Sequence, residues 1–382
     1  IFGMSIYRDS DGDGVLDHED SFPYAFSASQ DIDGDGYPDL VKIGCNIECL
    51  DKDGLIFDQF VGNSAAGKDM DFDGLPDEWA ANCGQICQQN SGLVLDLHIN
   101  DLDNDGISDN DDIDDNGDGV IDADADSDGL IDINNLEQLN AMRFELNGQA
   151  RVLEDEGAAD YSGCPNIVNG SLVQKRCHGY ELTQSLDFDT NNDGNIDSND
   201  MYWNEGLGWV PIGSNGIESF AQIFDGKGYS IKNLYINRPE ASYIGLFGIV
   251  LGDSVILRNI RLTGSLMEVT GGLSVGALVG FATQGAQIKN AFSSGMIRGE
   301  SVIGGLVGHI ETSTITQSFS SSSITANSFA GGLVGGASSS NISNTFSTGS
   351  VNSVSQAGGL IGGIEGSNIT NSYTTGEVTG DN

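Results

Sequence analysis

Apolar residues return on a fixed step through the last third of the chain. Ile288, Ile315, Ile342 and Ile369 stand 27 residues apart, as do Phe292, Phe319, Phe346 and Tyr373, and Ile297, Ile324, Val351 and Val378. Gly280, Gly308, Gly335 and Gly362 close GALVG, GGLVG, GGLVG and GGLIG at steps of 28, 27 and 27. A period this strict predicts a solenoid. Each repeat holds three short β-like runs separated by Gly or Ser/Thr/Asn. The expected fold is therefore mainly β, a β-solenoid with three strands per coil. Helical repeats are longer and would not tolerate this Gly and β-branched content. Ile342, Asn344 and Phe346 alternate onto one side of a strand, expected to be the interior. The amides between them (Asn290, Gln317, Asn344, Asn371) would then form a buried ladder. The other face, largely Ser and Thr, is expected to be solvated. Gly245-Leu246-Phe247-Gly248 reads as a divergent first copy.

Upstream the pattern changes twice. Residues 133–240 read as a cap and lead-in segment before a solenoid at 241–382. The cap is a helix in Asn134 to Gly148, with Asn134 as its cap, Glu137 at N3 and Leu136, Leu139, Met142 and Leu146 on one face. Residues 180–188 alternate like a strand, and FAQIFDGKGYSIKNLYIN reads as a hairpin about Asp225-Gly226. Residues 1–132 have no such periodicity. Their apolar residues are spaced by acidic loops.

Those loops have calcium-ligand spacing, with acids at positions 1, 3, 5, 9 and 12 and Gly at 6. Odd positions aim side-chain oxygens at one centre, and position 7 offers its backbone carbonyl. The complete sets are Asp9, Asp11, Asp13, Asp17 and Asp20, and Asp101, Asp103, Asp105, Ile107, Asp109 and Asp112. Two follow directly: Asp114, Asn116, Asp118, Val120 and Asp122, then Asp124, Asp126, Asp128, Leu130 and Asp132. Two more carry no acid at position 12: Asp31, Asp33, Asp35 and Asp39, where Lys42 stands, and Asp69, Asp71, Asp73 and Asp77, where Ala80 stands. Water or a neighbouring loop would have to complete them. A seventh, Asp189, Asn191, Asp193, Asn195, Asp197 and Asp200, is inserted in β-like sequence. Asp51 to Asp58 is a degenerate copy not assigned a ligand role. No sequence is left between loops for EF-hand helices. An acidic disordered segment would not keep Gly and an apolar residue in register.

Charge sharpens this picture. Formal net charge is −42 over 382 residues, with −38 in residues 1–200 and −4 in the rest. Such an arm repels itself without cations, and it disfavours nucleic acid and anionic lipid as partners. Calcium at about seven sites would cancel about 14 charges. Six cysteines, Cys45, Cys49, Cys83, Cys87, Cys164 and Cys177, lie at no zinc spacing, and they read as disulfides formed in an oxidising compartment. Cys164 is expected to pair with Cys177 and the other four among themselves, in an order left open. No apolar run is long enough for a membrane span. The chain starts at Ile1 without a signal peptide and reads as a mature or trimmed fragment.

The DSDGDGVLDHEDSFP and DLDNDGISDNDD segments resemble thrombospondin type 3 repeats, over about residues 9–132. That resemblance implies a string of ions wrapped by chain with little regular structure. SNISNTFSTGSV and GGLVG resemble the GLUG motif of large bacterial secreted and surface proteins. The segments from DSDGLIDINNLEQLNAMRFELNG to NLYINRPEASYIGLFG resemble the sequence that often precedes it. Together these cover about residues 126–380. GNSAAGK (62–68) imitates a phosphate loop but has Asp69 where Ser or Thr is needed, and GLSVG imitates a nucleophile elbow within the repeat. The four His are scattered.

The sequence thus points to an extracellular, non-enzymatic, calcium-stabilised structural protein, a spacer, adhesin segment or fibre subunit at a cell surface. The alternatives are a solenoid that binds glycan or another surface, and an accessory part of a larger secreted enzyme. Head-to-tail self-assembly into filaments is expected if a neighbouring molecule covers the last coil.

Overall fold

A computed structural model describes residues 8–42, 52–71, 73–102, 108, 122–152, 159–169, 172–214 and 219–380. The chain divides into two compact units, one of residues 1–129 with 161–177, the other of 130–160 with 178–382.

The second unit is a parallel β-solenoid with four sheets running along it. Each coil therefore carries four strands rather than the three expected. One full coil is Asn341–Ser343, Phe346–Ser347, Val351–Ser353 and Ile361–Glu365. The 27-residue register read from the sequence is the pairing register. Ile288, Ile315, Ile342 and Ile369 are successive partners, and so are Phe292, Phe319, Phe346 and Tyr373. The coils begin well before residue 241, since Ile131–Ile133 is already the first strand of one sheet and Gly179–Leu182 its neighbour. The expected hairpin about Asp225-Gly226 is absent. Ile223–Asp225, Ser230–Lys232 and Tyr235–Arg238 lie in three different sheets, each paired in parallel with the coil after it.

The interior is aliphatic, with Leu278, Leu306, Leu333, Val279, Val307 and Val334 at 0% exposure. The closing glycines of the GGLVG runs serve close approach. A Cβ on Gly335 would stand 2.4 Å from the carbonyl carbon of Val302, and one on Gly308 2.6 Å from that of Ser274. Val302 and Ser274 themselves have φ of 61° and 55°, so the chain kinks there into the space that glycine vacates.

The expected ladder amides do not lie inside, and one bond, Asn371 to Asn344, joins two of them. Asn290, Gln317, Asn344 and Asn371 are exposed, with φ of 52°, 52°, 54° and 49°. They turn the corner between the first two sheets, and left-handed backbone is a conformation that Asn tolerates. Asn371 Nδ2 donates to Asn344 Oδ1 at 3.3 Å, and Asn290 Nδ2 to Asn259 Oδ1 at 2.8 Å. The corner consumes one residue and shifts the alternation beyond it. Phe292, Phe319, Phe346 and Tyr373 consequently stack on the outer surface, with centroids 4.5, 4.6 and 5.2 Å apart. The serines expected at the surface point inward instead. Ser293, Ser318, Ser320 and Ser347 are fully buried. They are satisfied by backbone: Ser318 Oγ donates to Thr316 O at 2.8 Å and accepts from Ala291 N–H at 3.1 Å.

The helix is shorter than read, Leu136–Ala141 followed by a 3₁₀ turn at Met142–Phe144. Asn135 rather than Asn134 caps it, accepting from Gln138 N–H at 2.8 Å, while Gln138 Oε1 returns to Asn134 N–H. Leu136, Leu139 and Met142 are buried, and Leu146 is half-buried. Arg143 fastens this segment to the first coils, donating to Val210 O at 3.1 Å with its guanidinium over the Trp209 ring.

The first unit has little regular structure. It contains a helix at Gln85–Ser91, a two-strand ladder of Ala28–Gln30 with Leu40–Val41, and an antiparallel pair of Asn166–Asn169 with Leu172–Lys175. Cys164 and Cys177 close that pair with a disulfide, as expected, and Cys83 bonds Cys87. A small cluster of Ala65, Ala80 and Cys83 with Trp79, Cys87 and Leu93 packs beside the second disulfide.

Candidate metal centres

The acidic loops share one backbone design. Position 1 accepts N–H from the position-6 glycine: Gly14 to Asp9 at 3.2 Å, Gly36 to Asp31 at 3.1 Å, Gly74 to Asp69 at 3.0 Å, Gly129 to Asp124 at 2.8 Å and Gly194 to Asp189 at 3.0 Å. These glycines have φ between 83° and 103°, which is why the motif demands Gly there. Position 5 accepts from the N–H of position 7, as in Val15 to Asp13, Tyr37 to Asp35 and Leu75 to Asp73. Position 9 accepts from the N–H of position 2: Ser10 to Asp17 at 2.7 Å, Ile32 to Asp39, and Met70 to Asp77 at 3.5 Å. The bonds leave one oxygen of several carboxylates free to converge.

In the first unit several carboxylates converge. Asp9, Asp11 and Asp13 place one oxygen each within 4.8 Å of one another, as do Asp31, Asp33 and Asp39, and Asp69, Asp71 and Asp73. Asp35 and Asp39 are 4% and 2% exposed. Asp11 Oδ2, Asp33 Oδ2, Asp35 Oδ2 and Asp39 Oδ1 are buried without a hydrogen-bond partner. Burial, then the neighbouring carboxylates, pushes Asp35 up to about 6 and raises Asp33. Burial chiefly raises Asp20 as well, with Asp13, Asp11 and Asp17 adding to it. Buried oxygen donors without a hydrogen are costly unless a cation satisfies them. All-oxygen donor sets of this kind suit calcium. The residues present therefore fit the ion that the loops imply.

The remaining loops differ in detail. Asp77 also meets the Lys68 ammonium at 3.5 Å. Asp101 is buried and its N–H donates to Asp71 Oδ2 at 2.9 Å, so the next loop begins against this one. Asp103, Asp105, Ile107, Asp109, Asp112, Asp114, Asn116, Asp118 and Val120 lie outside the described residues, and Asp122 is buried at their end. Asp124 is buried beside the Cys164–Cys177 disulfide, whose sulfurs are spent in that bond, while Asp126 and Asp128 are exposed and Leu130 and Asp132 buried.

In the seventh loop Asp193 N–H donates to Asp189 and to Asn191, and Asn195 N–H donates to Asp193. Asp200 accepts from Thr190 N–H at 2.7 Å and Asp197 N–H at 2.9 Å. The ends of this loop are held by Phe188 and Tyr202, both edge-on to the buried Trp209.

Two residues with no assigned role join the picture. Asp58 is fully buried, and one of its oxygens lies within 4.8 Å of those of Asp33 and Asp35. Burial and then the Asp35, Asp33 and Asp39 charges push its carboxyl up to about 7. Asp96 is buried in the same backbone setting. The signal that finds them is a second, 38-residue period: Asp31, Pro38, Cys45, Cys49 and Asp58 correspond to Asp69, Pro76, Cys83, Cys87 and Asp96.

The GLUG motif model matches residues 353–379. Halomucin of Haloquadratum walsbyi is 34% identical over 151 residues, 39% of this chain and 2% of halomucin. A protein of Evansella cellulosilytica named as a Gly-rich membrane protein is 46% identical over 76 residues, 20% of this chain and 9% of that protein. The chain thus spans a small part of either relative. A crystal structure of a protein assigned as an immunoglobulin A1 protease, from Bacteroides ovatus, aligns with TM-score 0.42 at 18% identity, over 65% of this chain and 67% of that one. Among the described residues no helix is long and apolar enough to cross a membrane.

Proposed function

We propose that this chain is a calcium-stabilised structural segment of a secreted or cell-surface protein, with a spacer or adhesin role. The observation that carries it is the set of buried, unpartnered oxygens of Asp33, Asp35 and Asp39, gathered in loops whose backbone bonds aim them inward. Asp31, Asp33, Asp35 and Asp39 would hold one ion, and Asp9, Asp11 and Asp13, and Asp69, Asp71 and Asp73, two more. Calcium supplies no chemistry to a reaction here. It neutralises the loops and ties chain segments together where little apolar core exists. The named relatives agree with a surface setting, and the solenoid stacks its residues for length rather than around a reacting centre.

Equilibrium dialysis of the full chain against calcium is the test. Several ions per chain are expected, with dissociation constants of about 10⁻⁴ to 10⁻³ M, the range of extracellular modules. Binding of no calcium at millimolar concentration would remove the proposal.

A further inference from the structure

Loop 31–39 lacks an acid at position 12. Lys42, which stands there, turns its ammonium onto the Phe26 ring, 3.2 Å from the centroid. Asp58 arrives from outside the loop. Its N–H donates to Pro38 O at 3.1 Å, which fixes its backbone against the loop's position 8. Its Oδ1 accepts from Phe60 N–H at 2.8 Å, which fixes the rotamer. Its Oδ2 is buried without a partner, in a side chain at 0% exposure, and one carboxylate oxygen of Asp58 lies within 4.8 Å of one each from Asp33 and Asp35. A sixth oxygen ligand drawn from distant sequence is what an open loop needs.

We propose that Asp58 is the closing ligand of a divalent-cation site formed with Asp31, Asp33, Asp35 and Asp39. This rests on the calcium reading above. Asp96 has the same assignment for Asp69, Asp71, Asp73 and Asp77, whose loop is also open at position 12. Its N–H donates to Pro76 O at 2.9 Å, its Oδ1 accepts from His98 N–H at 2.7 Å, and its Oδ2 is buried without a partner. Each 38-residue repeat is then one module, in which the ion joins a loop to chain 19 residues past its position-9 acid. The first loop, with Asp20 at position 12, closes on itself.

Terbium is the probe, bound to the full chain. Tyr37 stands at position 7 of loop 31–39 and sensitises an ion there, so the emission lost in Tyr37→Phe defines this site. Asp58→Asn keeps an acceptor for Phe60 N–H and removes the charge. It is expected to weaken the Tyr37-sensitised site at least about tenfold, while Asp96→Asn leaves that signal unchanged. Wild-type affinity in Asp58→Asn, with the signal abolished in Asp33→Asn, would overturn the closing role and leave the calcium reading intact. A wild-type chain that takes up neither terbium nor calcium would overturn both. Thermal melts separate ligation from folding. Asp58→Asn should melt no lower than wild type without metal, because it removes a carboxyl whose ionisation burial opposes, and lower than wild type with calcium. An equal drop in both conditions would make Asp58 a structural residue and overturn the proposal.

Discussion

Asp35 and Asp58 are carboxylates whose burial favours the protonated form when no cation is present. Their folded values, about 6 and about 7, lie above the ordinary 3.8. The folded state then binds more protons than the unfolded one between about pH 7 and pH 4, so stability rises as pH falls through that window. With calcium bound the sign reverses, because protons compete with the ion for the same oxygens. Melting temperature measured from pH 7.5 to 5 should therefore climb for metal-free protein and fall for calcium-saturated protein. Parallel curves in the two states would show that these carboxylates do not bind the ion.

The corner residues of the solenoid carry a different lesson. The repeat and its register were legible because Ile and Phe return every 27 residues in both sequence and pairing. The inward face was not, because alternation holds only along continuous strand and the left-handed Asn344 interrupts it. Ser320 and Ser347 read as surface residues, yet their hydroxyls are buried at this turn. The turn geometry of the acidic loops was legible within each loop, since each spans twelve residues at most. Asp58 was not, because it meets its loop across intervening chain. The corner yields a test. Asn344→Leu should cost about 1–2 kcal/mol through left-handed strain, Asn344→Gly much less, and Ile342→Ala about 2–5 kcal/mol through the cavity it leaves. Thermal unfolding of the three variants would check this order, and an Asn344→Leu cost as large as that of Ile342→Ala would return the amide ladder to the interior.

The two halves of the molecule are held by different forces. Residues 201–382 carry a net charge of −4, and the coils there bury a continuous aliphatic stack with parallel backbone ladders. Residues 1–200 carry −38, and the described part of the first unit offers in return two disulfides and a small Ala, Cys and Trp cluster. Hydrophobic burial at about 25 cal/mol per Å² cannot hold so small a core against that self-repulsion. On the proposed reading cations do so, and monovalent salt screens only over about 8–10 Å without bridging any loop. Chelation should therefore expand the first unit and spare the second. Small-angle scattering should show a larger radius of gyration after calcium removal, only partly reversed by sodium chloride. Circular dichroism should show the β-rich transition of the solenoid at nearly the same temperature with and without calcium. A radius unchanged by chelation would mean that the acidic loops hold their shape without ions. A solenoid transition that shifted together with the arm would mean that the calcium sites and the coils unfold as one cooperative unit.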